Sequence, residues 1–217
     1  MNSSSTQPFA SAGNVLWLGG SPCAGKSSIG EILAQRFSLD VYHVDEAFEA
    51  HAQRVSPAHQ PALTKWNGCS WNERWIQPVD DLVQNVIACY QEHFALVYED
   101  ILKNSKKKSL IVEGAALLPR QVASVLPNRS QAIWLIPSAD FQRAHYSERE
   151  WARVIVAQCD QPDVAFHNWM ERDIRFAEWV EAEAIALDLA VLRVDGKRTL
   201  EENAQSVAAH FQLVAGQ

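Results

Sequence analysis

The sequence predicts an α/β domain in three layers, a five-stranded parallel sheet with helices on both faces, and three observations point to it. Five short, largely apolar runs at 15–18, 41–44, 110–112, 132–136 and 190–194 have strand length. Runs of that kind mark strands covered on both faces. Stretches with apolar residues at helical spacing, 27–37, 79–103, 163–187 and 200–214, separate them. Alternating strands and helices join by right-handed crossovers, which makes the strands parallel and places ligands beyond their carboxyl ends.

The elements follow in order. Val15-Leu-Trp-Leu18 opens the sheet after a polar tail, 1–13, so one domain is expected over 14–217. Ile29, Ile32, Leu33 and Phe37 form one face of the first helix. The second run ends in Asp45-Glu46 and the third in Glu113-Gly114, which puts two acids at the ligand-binding edge. Pro137 stops the fourth run and Asp195-Gly196 the fifth. Lys106, Lys107 and Lys108 read as a solvated turn before the third strand.

Composition narrows the partners. In 217 residues, 19 Lys+Arg face 26 Asp+Glu, giving a net charge of −7. No overall positive field gathers nucleic acid, so none is expected as a partner. An apolar share of 47% supports a packed core rather than a disordered chain. No apolar run reaches membrane-spanning length, and the first residues lack a basic start and an apolar stretch, so a cytoplasmic protein is expected, without membrane contact. Cys23, Cys69, Cys89 and Cys159 form no CxxC pair and fit reduced thiols.

Gly20-Ser-Pro-Cys-Ala-Gly-Lys-Ser27 fits G-x-x-x-x-G-K-[ST], between a strand and a helix as its mechanism requires. The glycines let the backbone curl around phosphate oxygens. Amides from Gly20, Ser21, Cys23, Ala24, Gly25, Lys26, Ser27 and Ser28 would face the anion, helped by the helix dipole. Lys26 would reach the β- and γ-phosphates of ATP, and the Ser27 hydroxyl would ligate Mg²⁺.

This loop, with Pro22 at its third position, resembles the adenylate-kinase-like branch of P-loop NTPases. Together with Tyr42-His-Val-Asp-Glu-Ala-Phe48 it is similar to chloramphenicol phosphotransferase, shikimate kinase and gluconate kinase. The resemblance implies a P-loop fold, ATP with Mg²⁺, a small-molecule acceptor, and a monomer or homodimer. It also implies that Asp45 orients or deprotonates the acceptor hydroxyl. An N-cap role is the alternative reading of Asp45. Glu113 stands where this branch often has an acid near Mg²⁺ or the acceptor, although Val-Glu-Gly departs from the usual Walker B aspartate. A strand-end hydrogen bond is its alternative.

The resemblance further implies an acceptor-binding insertion at about 46–78 and a lid at about 138–160. In the lid, Arg149 and Arg153 are four apart, on one face of a helix, where both could clamp the transferred phosphoryl group. Arg143, Arg172 and Arg175 fit surface pairing better. The insertion holds His51, Arg54, His59, Lys65, Trp66, Trp71, Arg74 and Trp75, able to stack on a ring and pair with an anionic substituent. For any single tryptophan, a place in a small satellite core is the simpler reading.

The leading expectation is an ATP-dependent kinase acting on a hydroxyl of a small metabolite or antibiotic-like acceptor. A nucleoside or nucleotide kinase with a phosphate acceptor is an alternative, as is a non-catalytic nucleotide-dependent regulatory module. Neither DxxG nor NKxD occurs, which leaves a GTPase unsupported; G-x-S-x-G and H-E-x-x-H are missing too.

Overall fold

The structure, a computed structural model, describes residues 15–104 and 109–214. The tail at 1–13 and the Lys106–Lys108 turn expected from sequence lie outside the described residues. Five strands, β1 (Val15–Gly20), β2 (Asp40–His43), β3 (Leu110–Glu113), β4 (Ala132–Pro137) and β5 (Ala190–Val194), form one sheet in the order β2-β3-β1-β4-β5. Every pairing is parallel. The helices are α1 (Lys26–Phe37), α2 (Val44–Ala52), α3 (Pro61–Gly68), α4 (Trp71–Trp75), α5 (Val79–Asn104), α6 (Pro119–Ala123), α7 (Ala139–Ser147), α8 (Glu150–Val156), α9 (Pro162–Ala186) and α10 (Leu200–His210).

Successive strand residues point to opposite faces, and the core divides accordingly. Val15, Trp17, Val112, Trp134 and Ile136 face α5 and α9 in one apolar cluster. Leu18, Ile111, Ile133, Leu135 and Val194 face α1 and α10 in the other. The three layers expected from the sequence are therefore present. Burying a side chain such as Leu18 or Ile111 contributes roughly 1.5–3 kcal/mol each, which is why β1, β3 and β4 carry no charged residue before their carboxyl ends.

Two boundaries differ from the expectation. The second strand ends at His43, and α2 begins immediately at the fully buried Val44, so Asp45 sits in the first helical turn rather than on a strand end. The residue before that helix is His43, and its side chain makes no cap bond, so Asp45 is not the N-cap. In the segment expected to form a lid, one continuous helix through Arg149 and Arg153 is not formed. Chain geometry explains the break: Tyr146 and Ala152 both enter the same apolar cluster, yet residues six apart on a straight helix point about 120° away from each other. The chain resets at Arg149, which is extended (φ −87°, ψ 101°) and precedes α8. Arg149 and Arg153 therefore do not share one helical face.

All four cysteines are free thiols, and among the described residues no helix is long and apolar enough to cross a membrane.

Candidate functional site

The P-loop connects β1 to α1 at the centre of the sheet, where neighbouring strands lead away on both sides. Its backbone conformation is demanding. Gly20 (φ 124°), Cys23 (φ 68°) and Gly25 (φ 80°) all have positive φ. A Cβ on Gly20 would lie 2.0 Å from the Leu135 carbonyl oxygen, so only glycine fits there. Gly25 precedes α1, and no side chain caps that helix. Its first amides and the exposed hydroxyls of Ser27 and Ser28 are thus left for an anion and its counter-ion.

Lys26 is buried, and its ammonium donates to the Ser21 carbonyl at 2.9 Å. Burial pushes the ammonium below its usual range; Asp45, Glu113 and Cys23 oppose that shift, and Arg149 reinforces it. These residues therefore surround one point. The Cys23 thiol is pushed up, first by burial and then by Asp173, with Arg149 and Lys26 acting against it. It is not a thiolate at neutral pH. Arg149, held over the rings of Tyr146 (5.2 Å) and Trp151 (5.7 Å), acts on the P-loop, whereas Arg153 is exposed on α8.

Glu113 is 1% exposed and lies in register with Leu18 of β1 and His43 of β2. Its Oε1 meets His43 Nδ1 at 2.7 Å, and His43 Nε2 meets Glu31 at 2.8 Å. Glu113 Oε2 is buried without a partner among the described residues. Burial works against a charged His43, but its hydrogen bonds to Glu113 and Glu31 outweigh this and raise the imidazole above its ordinary value. A raised histidine stabilises the fold at pH below the ordinary imidazole range, and that contribution is lost as pH climbs through the raised value. The NMR titration midpoint of His43 is expected above that of a free imidazole, and Glu31→Gln should bring it down. An unmoved midpoint in that variant would exclude Glu31 as a partner in solution.

Beside Glu113, Gly114 passes against α2 so closely that a Cβ on it would lie 2.6 Å from Val44 Cβ. Asp45, the next residue, is exposed and makes no hydrogen bond or ion pair among the described residues. It also lines a cavity of about 330 Å³. Five of the eight tryptophans, Trp66, Trp71, Trp75, Trp151 and Trp169, wall this cavity, with Phe48, Tyr90, His93, Arg74 and Arg172. Trp75 and Trp169 stack at 4.2 Å. Arg74 lies over Trp66 (4.9 Å) and Trp71 (4.8 Å), and Arg172 over Trp75 (4.8 Å). The tryptophans thus serve two ends, since Trp75 and Trp169 also belong to a satellite cluster that Cys23 of the P-loop joins.

A buried ionic hub ties the two halves of the site together. Asp173 accepts from Arg172 Nε at 2.7 Å, from the Tyr146 hydroxyl at 2.7 Å and from Trp169 Nε1 at 3.1 Å. Its main-chain oxygen accepts from the Ser21 hydroxyl at 3.2 Å. Arg172 belongs to the cavity, contrary to the surface pairing expected for it. Arg143 does pair at the surface with Glu171, as does Arg175 with Asp80. Of the basic residues expected in the insertion, Arg54, His59 and Lys65 do not line the cavity, and His51 lies behind it. The sequence reading missed His93, Arg172 and Asp173. The signal was present: His93 falls on the apolar stripe Val86, Tyr90, Val97 of α5, and Arg172-Asp173 falls on the stripe Trp169, Phe176, Val180 of α9.

No family model matches the chain, and no curated protein does either. Solved structures with a similar course include a sugar kinase from Janibacter sp. (14% identity, covering 93% of this chain and 96% of that one, TM-score 0.44). A shikimate kinase from Aquifex aeolicus is similar at 16% identity, 91% and 96% coverage and TM-score 0.40. A gluconokinase from Sinorhizobium meliloti is similar at 14% identity, 95% and 95% coverage and TM-score 0.44.

Proposed function

We propose that this protein is a small-molecule kinase that passes the γ-phosphoryl group of ATP to a hydroxyl of an acceptor held in the tryptophan-walled cavity. The observation that carries this reading is the double position of Asp45. Its unpartnered carboxylate lines the cavity and acts electrostatically on Lys26 of the P-loop. One carboxylate thus lines the space for the acceptor and lies within electrostatic range of the cation for the phosphates.

The roles of the chain's own residues follow. The loop amides between Gly20 and Ser28, Pro22 excepted, and the Lys26 ammonium bind and orient the triphosphate. Asp45 accepts the acceptor's hydroxyl proton as its oxygen bonds to the γ-phosphorus and the bond from that phosphorus to the ADP oxygen breaks, releasing ADP. Arg149 stands by the loop to meet charge on the transferred oxygens. Tryptophans around the acceptor exclude water and so limit hydrolysis. Ser27 and the unpartnered oxygen of Glu113 supply oxygen donors that fit Mg²⁺, which prefers few carboxylates plus phosphate and water. When bound, that ion would neutralise charge on the phosphates.

A hydroxyl acceptor is favoured over a phosphate because Arg172, the deeper cavity cation, is already neutralised by Asp173. Screening a metabolite library for ADP release tests the reading, and a library in which no compound raises ADP release above the acceptor-free rate would defeat it. With an active acceptor in hand, Asp45→Asn is expected to lower kcat about 10²-fold. A nearly unchanged kcat in that variant would point to a phosphate acceptor, which needs no base.

A further inference from the structure

One group in the cavity wall has no part in the chemistry above, the hydroxyl of Tyr90 on α5. Its ring meets Phe176 of α9 edge-on, 5.6 Å between centroids, and that contact fixes the direction of the side chain. Tyr90 lines the cavity together with Asp45 of α2. The hydroxyl has no hydrogen-bond partner among the described residues, and it is not one of the polar atoms shut off from the surface. It is therefore open to a bound molecule. Burial pushes the phenol above its ordinary range; Asp45 adds to that shift and Arg172, another cavity residue, opposes it. Tyr90 thus keeps its proton at neutral pH, within electrostatic range of the proposed base.

The rest of the wall is poor in acceptors. Arg74, Arg172 and the indole N–H groups only donate. Arg172 is already paired with Asp173, and Arg74 Nη2 donates to the Trp66 carbonyl at 3.0 Å. His93 spends Nε2 on His51, and its Nδ1 is buried. Among the lining side chains this leaves the Asp45 carboxylate and the Tyr90 oxygen as open oxygen acceptors. A sugar or polyol brings an O–H donor with every hydroxyl and would strand most of them, which is penalised. A flat ring makes no such demand, and Trp66, Trp71, Trp75, Trp151 and Trp169 give it aromatic surface to pack on.

We propose that the cavity takes an aromatic alcohol rather than a sugar or polyol, its ring against the tryptophans and its hydroxyl held between Asp45, which accepts the proton, and Tyr90, which donates to the oxygen. This deepens the reading of the cavity as the acceptor site and rests on it. One hydroxyl can serve both residues, because it carries one donor and two lone pairs. The bond from Tyr90 occupies one lone pair and aims the other, which is the pair that bonds to phosphorus.

Calorimetry on the full chain, without ATP, tests the proposal. The probes are 2-phenylethanol, 2-(4-hydroxyphenyl)ethanol and 2-(indol-3-yl)ethanol, set against gluconate, shikimate and myo-inositol. At least one aromatic alcohol should bind about tenfold or more tighter than every polyol. Tyr90→Phe keeps the ring and removes only an unpartnered hydroxyl, so the fold should persist. It should weaken that alcohol about fivefold and leave the ethylarene of the same ring, which lacks the hydroxyl, within about twofold. No binding by any of the alcohols, a polyol that binds as tightly, or a Tyr90→Phe effect that is nil or equal for the ethylarene would each overturn the proposal. ADP release raised by a polyol and by none of the aromatic alcohols would also overturn it while keeping the kinase reading. Tyr90-dependent binding of an aromatic alcohol, alongside no acceptor-stimulated ADP release, would instead fail the kinase reading and leave this assignment of the cavity standing.

Discussion

Lys26→Ala is expected to lower ATP-dependent phosphoryl transfer by about 10³-fold or more while the protein stays folded. Catalysis of this kind is mostly positioning and charge compensation, and Lys26 is the cation placed among Asp45, Glu113 and the loop. Its ammonium donates to the Ser21 carbonyl, a weak tie for the fold to lose. A coupled assay for ADP gives the rate, and circular dichroism on the same sample reports the fold. Wild-type turnover from the alanine variant would remove the loop from the chemistry.

Asp173→Ala is expected to cost about 3–5 kcal/mol of stability, because it strands a buried arginine without its counter-charge. Arg172 has nowhere to take its charge: its side chain is 8% exposed and that of Asp173 is 2%. Two further donors, from Tyr146 and Trp169, lose their acceptor together with it. Adding Arg172→Met should recover part of the loss, since an apolar side chain needs no partner. Urea unfolding of the single and double variants checks both statements. An Asp173→Ala midpoint equal to that of the parent would show that the hub is not closed in solution.

The strands and the P-loop were legible in the sequence because their signals are local. Gly20 to Ser27 is one contiguous pattern whose backbone does the binding. Val15 to Leu18 is apolar because both its faces are covered, whatever covers them. The cavity was only half legible. Trp66, Trp71, Arg74 and Trp75 stand close together in the chain, but Tyr90, His93, Trp169 and Arg172 arrive from α5 and α9 across the fold. No pattern in one segment can announce a neighbour set by tertiary packing. The shared helical face expected for Arg149 and Arg153 is not formed for a related reason: helical spacing through Arg149 is broken by the demand to bury both Tyr146 and Ala152.

The glycine after β3 leaves α2 resting on bare backbone, with no methyl group between strand and helix. The gap separating the two site acids is therefore set by main-chain thickness alone. Bulk added at position 114 would work as a shim, lifting the first turn of α2 and carrying Asp45 with it, although neither acid had been altered. A displacement on the order of 1 Å at a reacting group costs about 10²-fold in rate, so the alignment of the proposed site would be governed by a residue that offers no functional group of its own.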